Sequence, residues 1–268
     1  MVKCQVVMDA LERIAPRHLA EDWDNPGLLV GSPAREVSRV LVALDVSDLV
    51  VRQAIREGAE MIVAHHPLLF KPIKKIRTDE PLGHRLQLLL QHDIAVAAAH
   101  TNLDIARGGV NDVLAEAIGL GKLSSFVITS QDDDGRVESL GRIGSLPQPM
   151  TIRDFAEQVK KALPTKHVRF VDAGDRPVRK VALCSGAGAE FIAKAAAMGA
   201  DAYVTGDVRY HDAQHAAELG MHVIDAGHFG TEFPIVQALA ERLREELSTK
   251  GHVEVVTDHK SQDFFTIA

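Results

Sequence analysis

Short apolar runs alternate with amphipathic segments along most of the chain. Runs of small and β-branched residues predict strands that are buried on both faces, at residues 40–45, 61–64, 94–99, 181–184, 202–205, 223–224 and 253–256. Segments with apolar residues three or four positions apart predict helices, at residues 6–19, 48–58, 81–92, 108–118, 151–163, 190–198 and 232–247. Pro16 is expected to end the first of them. This alternation indicates an α/β fold with right-handed βαβ crossovers and largely parallel sheets.

Residues 124–150 have a different pattern. Residues 126–129 and 136–146 predict the two strands of a hairpin that is joined by the acidic turn 132–135, since Asp-Gly is a strong turn signal. The three aspartates of this turn lack the spaced ligands and the closing glutamate of an EF-hand calcium loop. We therefore interpret them as a hairpin turn rather than a calcium site.

The second half of the chain repeats the pattern of the first. Residues 58–63 align without a gap with residues 199–204, at the same place between a helix and a strand. This divergent similarity predicts an internal duplication, with two similar βαβ-based lobes whose strand ends face a shared cleft. We place the first lobe at residues 1–125, and the second lobe, which begins with the hairpin, at residues 126–268.

Three of the apolar runs end in residue types that bind metals, and in α/β proteins the carboxyl ends of strands are where chemistry collects. These residues are His65 and His66 after the run 61–64, His100 and Asp104 after 94–99, and His228 and Glu232 after 223–224. Imidazole and carboxylate together suit zinc, manganese, iron, cobalt or nickel. The pattern therefore predicts a metal centre at the strand ends.

The adjacent histidines favour a centre with two metals. His65 and His66 cannot point the same way from a regular strand, but at a strand end they can splay and serve one metal each. Asp104 and Glu232 are carboxylates that can bridge the metals, and His228 completes the set. We therefore expect two divalent metal ions per chain in a shared dimetal cleft, an arrangement that activates water for hydrolysis.

Each of these residues also has an ordinary structural interpretation. A histidine at a strand end is often a hydrogen-bonded structural residue, and Asp104 is also suited to cap a helix. His100 is a candidate for proton transfer or substrate contact. His211 is a weaker candidate for the same role, since it lies on a helix with His215 and no strand delivers it to the cleft.

Three further segments are open to two interpretations. Trp23 lies in a turn-rich loop at 21–31 and is either a core residue or part of a loop folded against the site. The lysine-rich segment 70–77 is either a solvated surface or a contact for an anionic substrate. Gly186 and Gly188 form either a tight turn or an approach for a phosphate at a helix N-terminus.

Composition narrows the classes of function. The chain has 268 residues, 46% hydrophobic and 25% charged, and a net charge of −7, which disfavours DNA or anionic membranes as electrostatic partners. Aromatic residues make up only 4%, which disfavours stacking on single-stranded nucleic acid. Cys4 and Cys184 form no CxxC pair, so we expect reduced thiols. No signal-peptide core or membrane-length apolar run is present, so a cytoplasmic location is expected.

Several ordered motifs resemble the dinuclear-metal-centre family related to yeast NGG-interacting factor three, whose members include GTP cyclohydrolase I type 2 homologues. The motifs are His65-His66-Pro67, His100-Thr101-Asn102-Leu103-Asp104, Ser185-Gly186-Ala187-Gly188, Thr205-Gly206-Asp207 and Gly227-His228-Phe229-Gly230-Thr231-Glu232, with Asn25-Pro26-Gly27-Leu28 and Gly141-Arg142-Ile143-Gly144. The resemblance implies two similar α/β lobes around a dimetal site and a homohexameric ring. It implies the ligands His65, His66, Asp104, His228 and Glu232. Longer members carry an inserted domain for which this chain has no room.

By this resemblance the expected activity is that of a metal-dependent hydrolase acting on cyclic amidine C–N bonds. The candidate reaction opens the imidazole ring of GTP with loss of formate, with His100 or His211 moving protons and the lysine-rich segment holding the triphosphate. One alternative is a metal-dependent nucleotide or phosphoester hydrolase. Another is a non-enzymatic ring that stores or carries metal or regulates other proteins.

Overall fold

Helices and strands alternate along the chain, in a computed structural model that describes residues 1–131, 135 and 137–267. The strands are β1 (Val2–Lys3), β2 (Gly27–Val30), β3 (Glu36–Val37), β4 (Arg39–Ala43), β5 (Met61–Ala64), β6 (Ala95–Ala98), β7 (Gly121–Gln131), β8 (Val137–Met150), β9 (Arg169–Val171), β10 (Val178–Ala187), β11 (Ala202–Gly206), β12 (His222–Asp225) and β13 (Glu254–Thr257). The helices are α1 (Cys4–Ile14), α2 (Asp48–Glu57), α3 (Pro81–Gln91), α4 (Thr101–Ile105), α5 (Val110–Ala117), α6 (Ile152–Ala162), α7 (Ile192–Ala197), α8 (Tyr210–Glu218), α9 (His228–Glu232) and α10 (Ile235–Leu247). The predicted α/β class is confirmed.

The first of two compact units contains Met1–Ala106 and Val236–Gln262. Its main sheet has the strand order β13-β4-β5-β6-β2. The strands from β13 to β6 are parallel, and β2 is antiparallel to β6. The closing strand predicted at 253–256 falls within the predicted second lobe, but it is present as β13, which pairs with β4 and so completes the sheet of the first unit.

The second unit contains Arg107–Ile235 and Asp263–Ala268. Its sheet has the order β7-β8-β10-β11-β12-β9, in which β10, β11 and β12 are parallel and the outer pairings are antiparallel. The predicted hairpin strands are present as β7 and β8. Of the predicted acidic turn, residues 132–134 lie outside the described residues. Both sheets are therefore mixed rather than wholly parallel, and the internal duplication stays a prediction.

Alternate residues of β10, β11 and β12 pack on opposite faces of the second sheet. Leu183, Val204 and Ile224 belong to one buried cluster, whereas Ala182 and Tyr203 belong to another. Because side chains alternate along a strand, both faces of the sheet are covered. This double coverage explains why these strands are continuous apolar runs in the sequence.

Local sequence signals define several helix ends as predicted. The Ser47 hydroxyl caps α2 by accepting from the Val50 N–H, and Gly58 ends that helix with φ of 67°. Thr151 caps α6 in the same way, by accepting from the Asp154 N–H. The predicted helix 232–247 is divided into α9 and α10 at Pro234, because proline cannot donate a backbone hydrogen bond within a helix.

Two segments differ from the sequence-based expectation. The segment 21–31, predicted as a loop, contains β2, which pairs with β6 despite its turn-forming neighbours. The first helix begins at Cys4 rather than Val6 and ends at Ile14, just before Pro16 as expected, and the three residues Arg17–Leu19 form a short 3₁₀ turn after the proline. Among the described residues, no helix is both long enough and apolar enough to cross a membrane.

Candidate metal centre

Three histidines lie together at the carboxyl ends of two neighbouring parallel strands. His65 and His66 follow β5 directly, and His100 follows β6. Their ring centroids are 4.9 Å apart for His65 and His66, 5.3 Å for His65 and His100, and 5.7 Å for His66 and His100. One ring nitrogen from each lies within 4.8 Å of the others. The parallel pairing of β5 and β6 thus brings together residues that are far apart in sequence.

Each of the three rings is held through Nδ1 by an oxygen atom. Nδ1 of His65 lies 2.9 Å from the carbonyl oxygen of Ala99. Nδ1 of His66 lies 2.8 Å from Asp45 Oδ1, and Nδ1 of His100 lies 2.8 Å from Asp24 Oδ1. Since these oxygens accept hydrogen bonds, the proton of the neutral ring is on Nδ1 and the lone pair is on Nε2. This is the arrangement found behind histidines that bind metals through Nε2.

Asp104 lies in the short helix α4, one turn after His100. Its carboxylate is buried, and its Oδ1 lies 3.6 Å from Nε2 of His65. Two ligands of one metal, each at about 2.1 Å from it, are typically separated by 3 to 4 Å. The first unit therefore offers three imidazoles and one carboxylate, a donor set that fits a borderline divalent metal.

Asp24 is held as an anion beside His100. Burial raises the pKa of Asp24, but hydrogen bonds from His100 and Thr101 outweigh burial and lower the pKa to about 2. Thr101 donates to the same carboxylate through its backbone N–H at 3.0 Å and its hydroxyl at 2.5 Å. At neutral pH this carboxylate therefore carries a negative charge that fixes the orientation of the His100 ring.

In the second unit, His228 and Glu232 lie one turn apart on α9, as their i, i+4 spacing predicts. Nε2 of His228 lies 3.1 Å from Oε2 of the buried Glu232. Nδ1 of His228 lies 2.8 Å from Oδ2 of Asp207, which follows β11 in a left-handed conformation with φ of 55°. His228 thus has an aspartate behind Nδ1, as His66 and His100 have in the first unit, and a carboxylate facing Nε2, as His65 has.

Glycines at the ends of β10 and β11 make space for α9. A Cβ atom on Gly186 would lie 2.2 Å from Oε1 of Glu232, and one on Gly206 would lie 2.7 Å from the backbone of Gly227. The Gly186 N–H donates to the Thr231 hydroxyl at 3.0 Å. Of the two interpretations of this glycine turn, the structure favours close packing within the protein over a phosphate approach.

His211 lies at the exposed start of α8. Its Nδ1 is 3.4 Å from Oε1 of Gln214, and its ring centroid is 5.3 Å from that of Tyr210. These contacts are local to its own helix. A catalytic role for His211 stays a prediction.

Comparison with known proteins shows the family to which the chain belongs. The family model described as Duf34/NIF3 (NGG1p interacting factor 3) matches residues 2–263. The chain belongs to the NIF3 family. It is 34% identical over 264 residues to the GTP cyclohydrolase 1 type 2 homolog of Clostridium perfringens, covering 98% of this chain and 99% of that protein. It is 36% identical over 248 residues to the homolog of the same name from Streptomyces coelicolor, covering 91% and 87%.

The fold is shared with a solved NIF3-related structure. The crystal structure of a Bacillus cereus protein related to NIF3 superposes with a TM-score of 0.92 and 30% identity, covering 99% of each chain. The resemblance stated from the motifs is thereby confirmed, over nearly the full length of this NIF3 chain.

Three carboxylates of this NIF3 chain were missed by sequence reasoning. Asp45 and Asp207 each follow a strand, β4 and β11, so the strand-end signal that identified the histidines was available for them too. Asp24 had no such signal, because its partner His100 lies 76 positions away in the sequence. A search for acidic residues at or just after the end of every predicted strand finds the first two and misses the third.

Proposed function

We propose that this protein is a dinuclear-metal-dependent hydrolase in which His65, His66, Asp104, His228 and Glu232 hold two divalent metal ions. The observation that carries the proposal is the common orientation of the histidines, each fixed at Nδ1 so that Nε2 is the metal-binding atom. His228 and Glu232 are two donors, fewer than the three or four protein ligands of most zinc sites. We therefore assign them to the same centre as the donors of the first unit.

A bound divalent pair supplies Lewis acidity, a water of lowered pKa and stabilisation of negative charge on the attacked atom. The chain's own residues orient and move protons. Asp45 and Asp207 orient the imidazoles of His66 and His228. His100 accepts a proton at Nε2, and the anionic Asp24 at its Nδ1 stabilises the resulting imidazolium, as in other histidine bases backed by a carboxylate.

For the reaction we propose hydrolysis of a cyclic amidine C–N bond, with opening of the imidazole ring of GTP and release of formate as its specific form. The names of the relatives, GTP cyclohydrolase 1 type 2 homologs, support this choice. A ring carbon between two nitrogens is electron-poor, so an activated water is a suitable nucleophile for it.

The deciding experiment measures formate release from GTP. The protein is stripped of metal and reloaded separately with zinc, manganese, iron, cobalt and nickel, and bound metal is counted. We expect formate with at least one metal, and its loss in the double variant His66→Ala/Glu232→Gln. The control His84→Ala, which alters a partly exposed histidine of α3, keeps the activity. Two bound metals without formate would overturn the cyclohydrolase reaction, and no bound metal would overturn the centre.

A second candidate keeps the same metal centre and changes the substrate to a phosphoester or a nucleotide phosphate. It is favoured by the exposed Lys71 and Lys74 shortly after His66. Release of inorganic phosphate instead of formate distinguishes it. Bound metal with neither product supports the non-enzymatic ring that carries metal or regulates other proteins.

A further inference from the structure

Two large aromatic side chains are exposed beside His100. Trp23 keeps 58% of its surface accessible and Phe70 keeps 45%. Their rings meet edge to face with centroids 5.8 Å apart, and the His100 ring lies 6.1 Å from Trp23 and 6.2 Å from Phe70. A tryptophan that serves the core is mostly buried, so core packing does not account for this pair.

The segments that carry the two rings are fixed by hydrogen bonds of their neighbours. The Asn25 side-chain amide donates to the carbonyl oxygen of Leu69 at 2.6 Å, which ties the residues next to the two rings to each other. Asp24, adjacent to Trp23, accepts from Thr101 and is bonded to His100. The aromatic pair is therefore held in place before any ligand arrives, which reduces the entropy cost of binding.

Positive charge follows Phe70 in the chain. Lys75 pairs with Glu80 at 3.2 Å, and Arg77 pairs with Asp79. Lys71 and Lys74 are exposed and make no ion pair with a carboxylate in the part of the chain that the structure describes. They are the cations of this segment that remain available to an anionic ligand.

We propose that Trp23 and Phe70 form the binding surface for a planar nitrogen-containing aromatic ring of the substrate, and that Lys71 and Lys74 bind its anionic group. The proposal rests on the proposed function, because it assigns a substrate class to the same centre. Aromatic side chains stack on heterocyclic bases of any kind, because every base has a π-face. A ring stacked here lies next to His100, the residue assigned to proton transfer.

The test uses the intrinsic fluorescence of Trp23, the single tryptophan of the chain. The metal-free protein is titrated with GTP, with guanosine and with tripolyphosphate, and N-acetyltryptophanamide corrects for light absorbed by the nucleotide. We expect saturable quenching by GTP and by guanosine, and none by tripolyphosphate. GTP is expected to bind more tightly than guanosine, because only GTP reaches the lysines.

The variants separate stacking from charge. Phe70→Leu keeps an apolar side chain but removes the aromatic face, and we expect about tenfold weaker binding of both GTP and guanosine. Lys71→Ala/Lys74→Ala is expected to weaken the binding of GTP and to leave the affinity for guanosine unchanged. The matched control Phe264→Ala, at an aromatic residue that is 81% exposed in the second unit, leaves both affinities unchanged.

Absence of quenching, or a Phe70→Leu variant with normal affinity, would overturn the proposal. A Phe70→Leu variant that lowers the molecular mass in light scattering while nucleotide affinity stays normal would show that the pair contacts a second copy instead. The two proposals fail differently. If GTP quenches the fluorescence but neither formate nor phosphate is released, the binding surface is supported and the hydrolase is overturned. If the protein turns over GTP and Trp23→Ala has an unchanged KM, the hydrolase is supported and the binding surface is overturned.

Discussion

At the scale of single residues, an acceptor oxygen lies against Nδ1 of each histidine of the candidate centre and leaves Nε2 as the possible donor atom. The candidate histidines were predictable from sequence because His65, His66 and His228 each follow an apolar strand. Their orientation was not, since Asp45 lies 21 positions from His66 and Asp207 lies 21 positions from His228. No local pattern links residues at that separation, so only the folded sheet reveals the pairs.

The variant Asp45→Ala removes the acceptor behind His66. We expect metal affinity to fall about 10- to 100-fold, the range seen when such supporting partners are lost, with little change in folding. Competition with a chelating dye measures the affinity. Asp48→Ala, which removes a surface carboxylate paired with Arg52, is the control, and an equal loss in both variants would contradict a specific role for Asp45.

Glu60 makes part of the stability depend on pH. Burial raises the pKa of Glu60, but hydrogen bonds from Ser38 and Arg39 outweigh it and lower the pKa below its ordinary value. A folded pKa below the unfolded one gives stability that is present above about pH 4.3 and is lost as pH falls through the folded pKa. Glu60→Gln is expected to lose on the order of 1 kcal/mol at pH 7, because the site is partly exposed to solvent.

Urea unfolding at pH 7 and at pH 3.5 tests this expectation. The difference between the native protein and Glu60→Gln should shrink at the lower pH. Glu116→Gln, at an exposed residue of α5, serves as the control and should match the native protein at both values. A difference that stays constant with pH would show that the carboxylate charge is not the cause.

At the scale of elements, the short connections after the strands position the side chains of the site. The strands β5 and β6, which lead into candidate ligand residues, were predictable because every residue in them is apolar and buried. The edge strand β2 was not, because Gly27 and the preceding Asn25-Pro26 are turn residues, and only pairing with β6 makes the segment extended. The sheet to which β13 belongs was also not predictable, because the local sequence of a strand does not show which strand it pairs with.

The close approach at Gly206 is testable by substitution. Gly206→Ala puts a methyl group against the backbone of Gly227 and His228. Backbone atoms cannot move away as easily as the end of a flexible side chain. We expect a loss of about 1–3 kcal/mol in the free energy of unfolding, typical of overpacking, together with weaker metal binding through displaced His228. The control Gly121→Ala, on β7, has its nearest such atom 4.0 Å away. Equal effects of the two substitutions would show that the crowding is relieved elsewhere.

At the scale of the whole molecule, the chain forms two compact units whose boundaries were not predictable from the sequence pattern. The first unit is discontinuous, since it takes in Val236–Gln262 from the end of the chain. A prediction that divides the chain at a single boundary cannot reveal that a C-terminal segment joins the N-terminal unit. The homohexameric ring, the shared cleft and the cytoplasmic location stay predictions.

The ring prediction has a direct measurement. Light scattering after gel filtration is expected to give a mass six times that of the 29.1 kDa chain, and the same mass for the metal-stripped protein if assembly does not depend on the centre. A mass of one chain at micromolar concentration would contradict the ring.

The pairing of β13 with β4 has a consequence for how the protein is made. While the ribosome is still synthesising the last residues, the sheet that carries His65, His66 and His100 has an open edge along β4. Residues 107–235 are one continuous stretch and can fold before then, whereas the unit with the three histidines must wait for release of the complete chain. A nascent chain stalled before Glu254 therefore exposes an unpaired strand edge to other chains.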